Sequence, residues 1–311
     1  MKCLILGGAG FIGSHVVDAM VDRGYKVRVL DLPRVNISNI SHRIKEIDLI
    51  LGDFYNENFL NKVLSDIDVV VHLICETIPE TSNENPIYDV ERNITGSLRL
   101  LDLSRKNNVK KIIFASSGGA VYGVPKTYPI PETHPNDPIC SYGITKLTVE
   151  KYLELYRHLY GLEYTVFRLG NPYGERQRTS GQQGAVAVFL GNILSNKKIT
   201  IRGDGSIERD SFYIEDLPEV FIKACESETP SRIYNIASGE SCSLNNLLHI
   251  ISDITKKDID VEYTQAKNSD ILANCLDVRL AREEMSWNPK VSLEEGVSKT
   301  WKWLCKQEIK K

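Results

Sequence analysis

Short apolar runs recur through the first half of the chain, at 2–6 (KCLIL), 26–31 (KVRVLD), 47–53 (IDLILGD), 68–73 (DVVVHL), 110–117 (KKIIFASS) and 164–170 (YTVFRLG). Several are apolar almost throughout rather than alternating, the pattern of parallel strands covered on both faces. Amphipathic stretches at about 11–23, 56–65, 86–107 and 141–160 separate them and predict helices. Strand–helix alternation of this kind predicts an α/β fold, a doubly wound parallel sheet with helices on both faces. The stretch 86–107 runs into the basic segment RKNNVKK, which suits the negative end of a helix dipole.

The rhythm changes after residue 170. NPYGERQRTSGQQG (171–184) is rich in Gly, Pro and polar residues and reads as a long functional loop. Helices are expected near 184–196, 215–227, 243–255 and 292–305, with strands near 199–202, 232–237 and 259–263. The division expected is a first domain over 1–170 and a smaller C-terminal α/β substrate-binding lobe over 171–311. Part of the latter, about 203–240, is expected to pack back on the first domain. No internal repeat or low-complexity tract interrupts the chain, and the terminal KQEIKK is expected to fray.

With 311 residues, 42% of them hydrophobic, the chain can bury a large core. A net charge of −3 gives no broad basic surface, so nucleic acid and anionic membrane are poor partners. Seven scattered cysteines form no C-x-x-C pair, and six histidines lack metal-ligand spacing; neither a disulfide framework nor a metal site is expected. No apolar run reaches membrane-spanning length. MKCLILGGAG looks briefly like a leader but reads as a first strand, and the compartment expected is a reducing cytoplasm.

Candidate chemistry begins at GGAGFIG, which places Gly7, Gly10 and Gly13 between the first strand and the first helix. Glycines let backbone approach a pyrophosphate, and the helix start offers free N–H groups; Phe11 and Ile12 belong to that start. Asp31 ends the second strand, where an acid hydrogen-bonds adenosine ribose hydroxyls and repels a 2′-phosphate, favouring NAD over NADP; Arg34 nearby softens that preference. Asp53 ends the third strand beside Phe54, where it either meets the adenine or simply caps a turn. Leu73, at the end of the fourth strand, is a further candidate cofactor contact.

SYGITK (141–146) places Tyr142 and Lys146 four residues apart on a predicted helix, hence on one face. A phenol with an ordinary pKa near 10 is a poor base at neutral pH. A nearby ammonium and a cationic nicotinamide favour its ionised form and make it a proton carrier for a sugar hydroxyl. Together with SSGGAVYG, FRLGNPYG, RGDGSIERDSFYIEDL and CLDVRLAREEMSWNP in this order, the chain resembles the extended short-chain dehydrogenase/reductase family in its nucleotide-sugar epimerase/dehydratase branch, over nearly its whole length. The resemblance implies a Rossmann fold, NAD as cofactor, a nucleotide-diphosphate sugar as substrate, and Tyr142 and Lys146 as catalytic residues. It also implies that Asn93 lies near the cofactor or the catalytic machinery; otherwise Asn93 satisfies local backbone. Helices such as 86–107 and 141–160 often make a homodimer in this family, here through Leu153, Tyr156 and Tyr160.

The sequence departs from that branch after the fifth strand. Dehydratases carry an Asp–Glu pair there, and Gly118, Gly119 and Ala120 cannot supply the acid and base that removing water requires. Aligned on Val121-Tyr122-Gly123, the usual catalytic serine falls on Gly118. Ser117 is the candidate in its place, with Ser116 behind it, although strand alternation points Ser117 the other way unless the glycines re-aim it. The resemblance further implies that Arg209 grips the diphosphate, that Lys267 stands where the family has a second arginine, that Asn171 meets phosphate or sugar, and that Asn274 leaves room for a 2-N-acetyl group. These features suit a nucleotide-sugar 4-epimerase. A 4-ketoreductase of a dTDP-4-keto-6-deoxy sugar needs the same residues, and a non-catalytic dinucleotide sensor needs no proton-transfer pair.

Overall fold

The apolar runs become strands because alternate side chains enter two separate cores. On the strand Lys2–Leu6 (β1), Cys3 and Ile5 face one core while Leu4 and Leu6 face the other. Lys26–Asp31 (β2), Asp48–Leu51 (β3), Val69–His72 (β4), Lys111–Ser117 (β5) and Glu163–Leu169 (β6) follow. In the computed structural model, which describes residues 1–181, 183–266 and 271–309, these join one seven-stranded sheet in the order β11–β6–β5–β4–β1–β2–β3, β11 being Ile233–Ile236. Every pairing in it is parallel. The first core lies under Phe11–Asp22 (α1), and the second under Glu57–Val63 (α2) and the long helices described next. This is the Rossmann arrangement expected. Strand order reverses between β1 and β4, and such a switch opens a crevice at the carboxyl ends of the strands.

The predicted helix over 86–107 is three pieces: Pro86–Asp89 (α4), a π-helical turn Val90–Thr95, and Gly96–Lys106 (α5). A preceding helix, Pro79–Glu84 (α3), was not legible in the sequence. Ser141–Tyr160 (α6) ends where expected, at Gly161 in the left-handed conformation with φ 70°. It packs beside α5 and buries Leu153 inside the chain. The second half adds the strand Asn171–Tyr173 (β7), which pairs with Ser211–Tyr213 (β10). Ile199–Arg202 (β8) pairs in parallel with Val261–Thr264 (β13), and Glu208–Arg209 (β9) pairs antiparallel with Cys242–Ser243 (β12). Ala185–Leu194 (α7), Pro218–Glu226 (α8), Leu244–Thr255 (α9), Arg279–Met285 (α10) and Leu293–Ile309 (α11) complete it. The expected strand near 232–237 is the edge strand β11 of the large sheet, so this stretch packs on β6.

Asp210 ties these parts together. Its buried carboxylate accepts from the backbone N–H groups of Ser238 (2.8 Å), Gly239 (3.2 Å) and Leu276 (3.0 Å) and from the Ser238 hydroxyl. Burial pushes its pKa up to about 6 against the pull of these donors.

Candidate active site

The turn after β1 is built on three glycines for three reasons. Gly7 has φ +81°, a conformation that side chains disfavour. A Cβ on Gly13 would lie 2.2 Å from the Gly7 carbonyl oxygen, so only glycine lets α1 start this close to the turn. Gly10 is the N-cap of α1 and supplies no side-chain cap, which leaves the first N–H groups, beginning with Phe11 and Ile12, open to an anion. Asp31 reaches across from the end of β2 and accepts from Ala9 N at 3.0 Å and Leu32 N at 2.8 Å. Burial raises its pKa and these two bonds oppose the rise. A tight turn, an uncapped helix start and an acid beside them fit the pyrophosphate and adenosine ribose of NAD.

Leu73 and Ile74 line the other side of Gly7, at 3.5–3.7 Å from where its Cβ would stand. Phe54 is buried against His72, at 5.7 Å between ring centroids. Asp53 is exposed and accepts from Tyr55 N at 3.0 Å, which is the turn-capping alternative.

Tyr142 and Lys146 share one face of α6 at the carboxyl end of β5. The Lys146 ammonium is buried, donates to the Ala115 carbonyl at 2.8 Å, and lies 5.7 Å from the centre of the Tyr142 ring. Burial holds the phenol above its ordinary pKa, with Cys75 adding to the rise and a hydrogen bond with Ser117 opposing it. Within the chain itself burial dominates, and the ammonium is committed to a backbone carbonyl.

Ser117, not residue 118, meets the tyrosine. Ser117 is the last residue of β5, and its carbonyl accepts from both Ala120 N (3.3 Å) and Val121 N (3.1 Å). The turn therefore starts on Ser117, the last residue of the strand, and Gly118 already lies beyond it. Ser116 is committed elsewhere, donating to Glu150. A Cβ on Gly118 would stand 2.3 Å from the buried Leu276 Cδ1. We therefore expect Gly118→Ser to cost about 1–3 kcal/mol, read as a lower thermal midpoint, and not to rescue Ser117→Ala.

Asn93 sits in the π turn, and its carboxamide is fully engaged. It accepts from Glu76 N at 3.2 Å and donates to Thr77 Oγ1 at 2.8 Å and Asp89 Oδ1 at 2.7 Å. Asn93 and Lys146 line one small cavity. On the substrate side, the Asn274 amide is buried and donates to the Gly118 carbonyl at 3.2 Å, which brings it to the end of β5, while its Oδ1 has no partner. The Arg209 guanidinium donates to the carbonyls of Glu208 and Ile271, each at 2.8 Å. Asn171 donates to the Asp210 carbonyl at 3.1 Å and so holds the β7–β10 pair. Lys267 lies outside the described residues.

Sequence reasoning missed the clamp on the start of α6. Residues on α3 cap it: Asn83 Oδ1 accepts from Ser141 N at 2.9 Å, and Ser82 Oγ accepts from Tyr142 N at 3.0 Å. It also missed the ion pair of Glu150 and Arg168 below the site. Glu150 continues the four-residue spacing of Tyr142 and Lys146, and that was the available signal. Among the described residues no His, Cys, Asp or Glu cluster is placed to hold a metal, and no helix is long and apolar enough to cross a membrane.

This arrangement recurs in known proteins. A putative UDP-glucose 4-epimerase of Methanocaldococcus jannaschii is 36% identical, with 97% of each chain covered. A dTDP-4-dehydro-6-deoxyglucose reductase of Escherichia coli is 32% identical over 97% of this chain and 98% of its own. The crystal structure of a UDP-glucose 4-epimerase from Thermotoga maritima with UDP-glucose superposes with a TM-score of 0.94 at 38% identity, covering 99% of this chain and all of that one. The family model for the NAD dependent epimerase/dehydratase family matches residues 3–237, and with the glycine turn, Asp31 and the Tyr142–Lys146 face it shows that the chain belongs to that family.

Proposed function

We propose that this protein is an NAD-dependent nucleotide-sugar 4-epimerase. The observation that carries the reading is the convergence of Ser117, Tyr142 and Lys146 at the end of β5, with Asn274 bonded to Gly118 there and Ile74 lining both the Lys146 cavity and the glycine turn of β1. The glycine turn and Asp31 would hold NAD, which would supply a hydride acceptor and donor for C4 of the sugar and, in its oxidised form, a positive charge near the phenol. The Tyr142 phenol moves the C4 hydroxyl proton, Ser117 orients that hydroxyl, and Lys146 fixes the face of α6 and the nicotinamide ribose. Arg209 and Lys267 hold the diphosphate, and Asn171 and Asn274 hold the sugar side. The missing Asp–Glu pair after Ser117 speaks against a dehydratase.

The 4-ketoreductase reading has the Escherichia coli relative in its favour, and a coenzyme balance separates the two. Purified protein is expected to interconvert UDP-glucose or UDP-N-acetylglucosamine with its 4-epimer without added coenzyme. Stoichiometric consumption of NADH or NADPH on a 4-keto sugar, with no epimerisation, would overturn the epimerase. A homodimer is part of the proposal. The apolar side chains available to it are exposed Ile87 on α4 and Val90 in the π turn, and exposed Leu159 and Tyr160 with half-buried Tyr156 at the end of α6. Leu153, expected there from the sequence, is in the core and cannot contribute.

A further inference from the structure

Asp89 is a buried carboxylate that the reaction outlined above does not use. It lies on α4, is fully buried, and is held by neutral donors from three directions. Thr77 Oγ1 comes from the loop after β4, Asn93 Nδ2 from the π turn at 2.7 Å, and Ser141 Oγ from the first turn of α6 at 2.7 Å. Glu76 and Arg92, the charged neighbours on that loop and turn, pair with each other at 3.3 Å. A buried anion served only by hydroxyls and an amide is costly unless it is well bonded. Three elements are committed to keeping this one, and each carries a part of the site. The loop holds Cys75, the turn holds Asn93, and α6 presents Tyr142 next to Ser141.

From this geometry we infer that Asp89 is a positioning residue for the proton-transfer step: its carboxylate clamps the first turn of α6 to the π turn and to the loop after β4, and so sets where the Tyr142 phenol stands and the charge it feels. The inference rests on the proposed role of Tyr142. The groups facing the phenol are Cys75 beyond β4, Cys140 at the N-cap of α6, Asp89 on α4, the Ser117 hydroxyl, and Lys146 on the same helix. Of these, the Asp89 carboxylate opposes ionisation of the phenol.

The test is Asp89→Asn in the full-length protein. The amide keeps the shape and an acceptor for Thr77 or Asn93, but it removes the charge. We expect kcat to fall about 10-fold to 100-fold through misplacement of the phenol, with KM unchanged because Asp89 bonds Thr77, Asn93 and Ser141 and none of the residues proposed to hold the substrate. Loss of the charge favours phenolate, so the acid limb of the kcat profile moves to lower pH. The ultraviolet phenolate signal that disappears in a Tyr142→Phe background moves the same way. Ser141→Ala and Thr77→Val keep the charge and are expected to lower kcat with the limb in place. They also carry the test if Asp89→Asn does not fold, and wild-type kcat in both would then overturn the inference. So would an Asp89→Asn protein whose tyrosine titration and kcat match wild type. The phenolate titration needs no turnover, so an absence of epimerase activity in wild type would sink the functional proposal without deciding this one.

Discussion

Tyr142→Phe is expected to lower kcat by about 100-fold to 10,000-fold, the usual worth of a positioned acid–base group, while NAD still binds. The phenyl ring keeps the packing of α6 and loses only the proton carrier. The glycine turn and Asp31, which would receive the nucleotide, lie on other elements and are untouched. Initial rates on the UDP-sugar pair, with the NAD content of the purified variant read alongside, check both halves. Residual turnover within a few fold of wild type would remove the tyrosine from the chemistry. Burial raises the phenol's pKa in the chain; under the proposed function, positive charge arriving with the cofactor would favour its ionised form and couple proton transfer to an occupied nicotinamide site.

The largest effect on stability is expected at Arg168→Met. Arg168 Nη2 lies 2.6 Å from Glu150 Oε2, with the side chains 2% and 1% exposed. The guanidinium also stacks on Tyr122 at 4.8 Å, and Glu150 accepts from Ser116. Removing the arginine leaves a carboxylate buried without its counter-charge, at a cost of about 3–5 kcal/mol. The measurement is the urea midpoint of unfolding. Converting both partners to methionine is expected to recover much of the loss, because no charge then stays buried. If the single variant unfolds at the wild-type midpoint, water reaches Glu150 and this account of the pair fails. The pair joins α6 to β6 while Lys146 joins α6 to β5. It therefore holds the helix that carries Tyr142 against two strands, and loss of activity is expected to accompany loss of stability.

Much of this was legible in one dimension. The all-apolar runs predicted parallel strands because β1 and β5 feed cores on both faces. The glycine spacing predicted the turn because φ at Gly7 and the approach at Gly13 are local backbone demands. The four-residue spacing predicted a shared face for Tyr142 and Lys146 because helix geometry is local. What failed had non-local causes. Leu153 falls on the same helix as Tyr156 and Tyr160, and only the packing of α5 decides that it is core while they are not. That Ser117 stands beside the phenol depends on where β5 ends against α6, and Leu276, far along the chain, fills the space beside Gly118.

By itself, the sequence determined the doubly wound sheet, the glycine turn and the shared helix face of Tyr142 and Lys146, because backbone conformation and side-chain periodicity act within a few residues. Tertiary structure alone decided that Ser117 is the hydroxyl beside the phenol, that Ser82 and Asn83 cap α6 from about 60 residues away, and that Asp89 joins three elements around it. Those arrangements depend on which groups lose water together when distant segments meet. Desolvation is a property of the packed whole and leaves no periodic mark on the chain.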